Sequence, residues 1–424
     1  MKLIKYSDKK KVNEVVERSA PDLETATAVS KQIMEDVRER GDAAVIGYTK
    51  KFDRVQLTEK NIRVSRKEIL QATKRVDREL LSALKHAHRN IGRFHSEQMK
   101  RIDKRWNVRI EEGVSVGEKT APIDSVGCYV PGGRASYAST VLMNCIPAKA
   151  AGVRRVVVAS PPPISDAILA AAGICGVDEV YRMGGAQAVA ALTYGTETIQ
   201  KVDKIVGPGN VYVMAAKMLA FGKVGIDMPA GPSEVLILAD DSTDMKLIAA
   251  DVLAQAEHDP NARCVVVTNS EKAVRKTRKE ISRQLSSLKT KKTAEQSLEH
   301  ATFILTKSLK ESVDFANQYA PEHLEVLTAD PEKAAEKIRN AGAVFVGAYS
   351  PVAAGDYCSG GNHVLPTAGA ARFASPLSVR DFLKTTSIQK ITEKGLGSLC
   401  ETIAKLADTE GFPAHKNSVG KRFK

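Results

Sequence analysis

Arg155-Val-Val-Val-Ala159, the turn Pro161-Pro-Pro163 and the alanine-rich Ser165-Asp-Ala-Ile-Leu-Ala-Ala-Ala172 follow one another, and their reading decides the fold. An unbroken run of branched apolar residues suits a strand buried on both faces. The prolines punctuate a strand-to-helix turn, and the segment after them has helical character. Similar apolar runs stand at Ser125–Val130, Glu179–Tyr181, Lys204–Val206, Val235–Ala239, Cys264–Thr268, Phe303–Thr306, Glu325–Thr328 and Ala343–Val346. Helical stretches such as Tyr137–Ala151 and Ala186–Tyr194 lie between them. This alternation predicts βα units and parallel sheets, an α/β fold. Residues 1–120 read instead as mainly helical and highly charged. From Pro376 the chain reads as helical again and ends in a basic tail. There is no internal repeat.

The chain has 424 residues, too many for one ordinary core, so two or more domains are expected. An apolar fraction of 43% with only 5% aromatics fits an α/β enzyme rather than a coiled coil or a disordered chain. No apolar run is long enough to span a membrane, and Met1-Lys-Leu-Ile-Lys-Tyr-Ser-Asp8 has no apolar signal core, so a cytoplasmic protein is expected. The cysteines, at 128, 145, 175, 264, 358 and 400, form no CxxC and read as reduced and mostly buried. A nucleophilic Cys358 is disfavoured, because it would need an activating partner. The net charge of +13 raises a nucleic-acid reading. However, the basic residues are dispersed, and Lys272–Lys292 alternates with Glu, Ser and Leu without aromatics to stack on bases, as a solvated helix face does. His86, His88 and His95 fall at helical spacing within Val76–Lys104 and read as residues of a surface helix.

Neither GxGxxG nor GxxxxGK[ST] occurs. Three other glycine turns follow strands: Val130-Pro-Gly-Gly-Arg134, Met183-Gly-Gly-Ala-Gln187 and Gly207-Pro-Gly-Asn210. Ligands of doubly wound sheets bind at strand C-termini, where glycine admits close approach and a helix start offers free N–H groups. Three such turns in succession favour a nucleotide cofactor.

The candidate chemistry lies further along. Gln255-Ala-Glu-His258 in a helix sets an amide and an imidazole on one face. Asp356 and His415 can complete a nitrogen/oxygen set suited to zinc. Glu322 and His323, adjacent after Pro321, are candidate proton-transfer groups. Asp356 and His363 share the glycine-rich loop Gly355–Thr367.

These segments together resemble the histidinol dehydrogenase family. The resemblance rests on Tyr129-Val-Pro-Gly-Gly133, Gly207–Asn210, Gly225-Ile-Asp-Met-Pro-Ala-Gly-Pro-Ser-Glu234, Gln255–Asp259, Ala320-Pro-Glu-His-Leu324, Gly355–Tyr357, Asn362–Thr367 and Glu410 with His415. It implies a zinc-dependent, NAD-linked oxidation of L-histidinol through L-histidinal to L-histidine, in a cytoplasmic homodimer with shared active sites. The implied zinc ligands, one ion per subunit, are Gln255, His258, Asp356 and His415, the last supplied by the partner. Tyr129, Gln187 and Asn210 are the implied NAD contacts. Ser233, His363 and Glu410 are implied to meet the substrate alongside the metal ligands and His323. Glu322 and His323 are the implied catalytic pair. The implied fold has two Rossmann-like doubly wound domains, 21–133 with 234–376 and 134–233, plus helical terminal segments 1–20 and 377–424, the latter exchanged in the dimer. The rival readings are a paralogous NAD-dependent dehydrogenase of another small polyol, a metallohydrolase, and a basic nucleic-acid-binding protein.

Overall fold

The computed structural model describes residues 1–18, 23–132, 137–228 and 231–423. Gly133 and Arg134 of the first glycine turn, and Pro229 and Ala230 of the Gly225–Glu234 block, lie outside the described residues. In chain order the strands are β1 (Lys2–Lys5), β2 (Arg105–Glu111), β3 (Val114–Pro122), β4 (Ser125–Tyr129), β5 (Arg155–Ser160), β6 (Glu179–Arg182), β7 (Lys204–Val206), β8 (Gly225–Ile226), β9 (Glu234–Ala239), β10 (Arg263–Thr268), β11 (Thr302–Leu305), β12 (His323–Leu327), β13 (Ala343–Val346) and β14 (Leu383–Ile391). They make a five-stranded sheet, β6-β5-β4-β7-β8, a six-stranded sheet, β1-β11-β10-β9-β12-β13, and a ribbon, β14-β3-β2. Pairing in both larger sheets is parallel and in the ribbon antiparallel. The fold is mixed α/β, as expected, and every strand expected from an apolar run is present.

The continuous apolar runs have a simple cause. Successive strand residues point to opposite faces, and both faces of each sheet are covered. In β5, Val156 and Val158 enter one core with the helix Ala138–Ala151, while Val157 and Ala159 enter another with the helix Gly185–Tyr194. In β9, Val235 and Ile237 face one core, and Leu236 and Leu238 face the other. Each fully buried valine or leucine stabilises the fold by roughly 1.5–3 kcal/mol.

The helices Leu23–Asp53, Arg66–Arg75 and Arg78–Lys100 pack on the helices that cover the five-stranded sheet. The last of them starts at Asp77, whose carboxylate accepts the Leu80 N–H at 2.7 Å, a helix N-cap. It buries the stripe Leu84, Ala87, Ile91 and His95. His95 lies on that helix, as expected, but on its buried face, where its ring bonds Gln98 of the same helix at 2.8 Å.

Strands β1, β2 and β3, which fall in residues 1–120 or at their end, and β14 also differ from the expected mainly helical character of the terminal segments. β1 is a short edge strand between charges, with too few apolar residues to show a period. β14 is mostly exposed and pairs with β3 through β-branched residues rather than through an apolar run.

Candidate active site

His323 opens β12, beside the first residues of β9. Glu322 and His323 are neighbours in sequence, yet both converge on one residue of the adjacent strand, Glu234. The Glu234 N–H donates to Glu322 Oε2 at 2.8 Å. His323 Nδ1 donates to the Glu234 carbonyl at 3.0 Å. A carbonyl can only accept, so the proton sits on Nδ1 and Nε2 is turned away from β9. Nε2 lies 3.6 Å from Asp356 Oδ1 and makes no hydrogen bond. Both residues are about 5% exposed. Burial pushes the His323 pKa down, but the carboxylates of Glu322 and Asp356 outweigh it and hold the imidazole well above its ordinary value.

Glu234 is itself held from behind. Arg18 meets its carboxylate at 2.7 and 2.8 Å, and the Tyr319 hydroxyl donates to it at 3.0 Å. The Arg18 guanidinium lies 3.5 Å over the Tyr319 ring. Burial raises the Glu234 pKa and the Arg18 charge opposes that rise. Sequence reasoning missed this support. Glu234 stands beside Ser233 in a block already singled out, but Arg18 carries no local signal.

Asp356 sits near the end of the short helix Val352–Tyr357 and gathers imidazoles around it. His258 Nε2 lies 4.0 Å from its Oδ2. His363 Nδ1 donates to its backbone carbonyl at 2.9 Å, while His363 Nε2 meets Thr140 Oγ1 at 3.3 Å. Burial lowers the His363 pKa. Burial also works to raise the Asp356 pKa, but His323 close by and the other nearby imidazoles hold it below the usual carboxylate value. Gln255, one turn before His258, is 4% exposed, and its Nε2 has no hydrogen-bond partner.

A cleft of about 620 Å³ opens here. His323, Asp356 and His363 line one wall, and Phe94 and Gln98 from the helix Arg78–Lys100 line another. The helix Met245–Ala256 runs back from the C-terminal end of β9, so Gln255 and His258 meet the strand starts. The carboxylate–imidazole cluster thus lies at the N-terminal edge of the six-stranded sheet, opposite the edge where the strand rule places ligands.

The other expected residues are distributed as follows. Ser233 precedes β9, and its carbonyl accepts the Arg263 N–H at 3.0 Å. Tyr129, Gln187 and Asn210 stand at or just past the C-terminal ends of β4, β6 and β7. The buried Tyr129 hydroxyl accepts the Gly185 N–H at 3.1 Å, and burial pushes its pKa up to about 12. Gln187 is buried with its Oε1 unpartnered. Asn210 caps the helix Val211–Ala220 by accepting from Tyr212 and Val213 N–H groups. Glu410 ends the helix Glu393–Glu410, and His415 lies on the helix Pro413–Gly420, which buries no residue. Both are exposed on the surface. Among the described residues of the single chain, no three His, Cys, Asp or Glu side chains converge in metal-holding geometry.

The chain matches the family model "Histidinol dehydrogenase" over residues 16–423. The chain belongs to the histidinol dehydrogenase family. It is an oxidoreductase of histidine biosynthesis that oxidises histidinol. It is 49% identical to the histidinol dehydrogenase of Methanosarcina mazei over 92% of this chain and 90% of that one. With the enzyme of Methanothermobacter thermautotrophicus it shares 47% identity over 100% of this chain and 99% of that one. Its structure matches the crystal structure of histidinol dehydrogenase from Elizabethkingia anophelis with a TM-score of 0.94 at 40% identity, covering 100% of this chain and 98% of that one. No described helix is long and apolar enough to cross a membrane.

Proposed function

We propose that this enzyme carries out the NAD-linked, zinc-dependent, four-electron oxidation of L-histidinol to L-histidine through L-histidinal, as a cytoplasmic homodimer with shared active sites. The observation that carries the reading is the Asp356 carboxylate, which faces the His258 and His323 imidazoles at 4.0 and 3.6 Å in a deep cleft.

The residues fit one ion. Two ligands with bonds of about 2.0–2.2 Å to a common ion stand a few ångströms apart without bonding each other, as His258 and Asp356 do. The buried Gln255, three residues before His258, would add a third donor through its amide oxygen. The fourth would be the partner subunit's His415, on a helix that buries no residue in the single chain. Bound there, zinc supplies a template for the imidazole and amine of histidinol. Tyr129, Gln187 and Asn210 would hold NAD, the hydride acceptor, at the C-terminal edge of the five-stranded sheet. Ser233, His363 and the partner's Glu410 would orient the substrate.

His323 is suited to take the hydroxyl proton of histidinol, because its Nδ1–H is fixed on Glu234 and its Nε2 has no hydrogen-bond partner. Asp356 directs its charge to the cation in this reading, so His323 keeps only Glu322 as a counter-charge and its Nε2 becomes available as a base. Glu322 deprotonates the water that adds to the aldehyde. His323, once it has released the first proton to solvent, takes the proton of the resulting hydrate as the second hydride departs. General acid–base help of this kind is worth ~10²–10⁴-fold per step. Steady-state assay with histidinol and NAD+ in the presence of zinc tests the reading. NADH and histidine are the expected products, and absence of NADH formation would refute it.

A further inference from the structure

We propose that Lys217 and Asp227 are positioning residues for the dinucleotide, a buried ion pair that holds Gly207 from both sides and keeps the Gly207–Asn210 turn in its ligand-ready shape. This inference rests on the reading of that turn as part of the NAD site.

The two side chains are 3% and 4% exposed and pair directly. Asp227 Oδ2 accepts the Gly207 N–H at 2.6 Å. Lys217 Nζ donates to the Gly207 carbonyl at 2.9 Å. One residue of the turn therefore has both backbone polar groups fixed by a pair of opposite charges. A buried ion pair is weak evidence for stability, because removing two charges from water costs several kcal/mol per ion. An apolar pair would fill this volume without that cost. The extra hydrogen bonds of this pair go to a single residue, which points to a role in fixing conformation.

Gly207 has good reason to be fixed. Its φ is +113°, and a Cβ placed on it would lie 2.1 Å from the Tyr129 carbonyl oxygen. That contact joins the start of the turn to the end of β4, where Tyr129 stands. Three residues on, Asn210 starts the helix Val211–Ala220, and Lys217 lies on the same helix. Asp227 follows β8, whose neighbour is β7. The clamp thus ties together the strand that enters the turn, the turn itself and the helix that leaves it. A turn held in its bound shape loses less entropy when a ligand arrives.

The test uses the full-length, zinc-loaded enzyme. The double variant Lys217→Met with Asp227→Asn removes both charges together and leaves no unpaired ion. The KM for NAD is expected to rise by about tenfold or more, with the KM for histidinol changed less than about twofold. Unchanged KM values in a folded variant would overturn the proposal, as would an equal rise in both. Asn210→Ala separates the premise from the inference. If it leaves the KM for NAD unchanged, the reading of the turn fails and the clamp falls with it. If it raises that KM while the double variant does not, the clamp alone fails.

Hydrogen exchange on the unmodified protein gives a readout that no folding defect can obscure. The amide of Gly207 is expected to exchange slowly without NAD, because Asp227 already holds it. Rapid exchange without NAD, with protection only when NAD is added, would overturn the proposal.

Discussion

Glu322→Gln should separate the two oxidations. Glu322 holds its place by accepting the Glu234 N–H at 2.8 Å through Oε2, and an amide oxygen can accept the same bond. The fold and the orientation of His323 on the Glu234 carbonyl should therefore survive. What disappears is a basic carboxylate and the negative charge 3.5 Å from His323 Nδ1. The aldehyde-to-acid step needs that base to activate water, so it should slow by ~10²–10⁴-fold, the usual worth of a general base. The alcohol-to-aldehyde step, proposed to rest on His323, should slow by less than about tenfold, through the lost counter-charge alone. Single-turnover NADH formation, started from histidinol in one experiment and from histidinal in another, measures the two steps separately. Equal loss in both half-reactions would refute the role given to Glu322.

Other perturbations test different parts of the site. His258→Ala should abolish stoichiometric zinc, read by elemental analysis of the purified protein; full metal content would remove His258 from the ligand set. Glu325, buried on β12 beside Asp251, has its pKa pushed up to about 8, first by burial and then by the Asp251 charge. The folded state therefore keeps its proton where the unfolded chain has lost it. This contribution to stability is full below the ordinary carboxylate range and is lost as pH rises towards 8, by about 1.4 kcal/mol per pH unit. Glu325→Gln should flatten this decline in a series of thermal melts between pH 5 and 8, and an unchanged slope would contradict the assignment. Arg18→Met should destabilise the enzyme by roughly 3–5 kcal/mol, because the buried Glu234 loses its cation. Denaturant titration checks it, and a loss under about 1 kcal/mol would show that Glu234 does not depend on Arg18.

Much of the fold was legible because strands buried on both faces are apolar at most positions. Val156, Val157 and Val158 could not be disguised. The N-terminal strand β1 and the ribbon strand β14 were illegible for the converse reason, since neither has two buried faces. Which sheet the charged helices of residues 23–100 would join was also hidden. An amphipathic stripe such as Leu84, Ala87 and Ile91 tells that a helix is buried on one side but does not name its neighbour.

The site was legible by residue type and by family resemblance, less so by geometry. Adjacent residues on a strand point apart, so a Glu322–His323 pair looks unproductive until Glu234 is seen to receive both. Glu234, Arg18 and Tyr319 are far apart in sequence, and only the pairing of β9 with β12 explains their meeting. Likewise, a glycine at 207 was readable as a turn, whereas the ion pair that fixes it lies ten and twenty residues onward.

The most direct test of the shared site mixes two inactive proteins. One carries His258→Ala with an intact tail, and the other carries His415→Ala with an intact cleft. If the tail serves the partner, each mixed dimer holds one complete site and one doubly damaged site. Equal mixing with subunit exchange should then restore about a quarter of the unmodified activity, since about half the dimers are mixed and each has one site of two. If no activity returns after exchange is verified, His415 does not reach across to its partner, and the proposed metal centre is wrong.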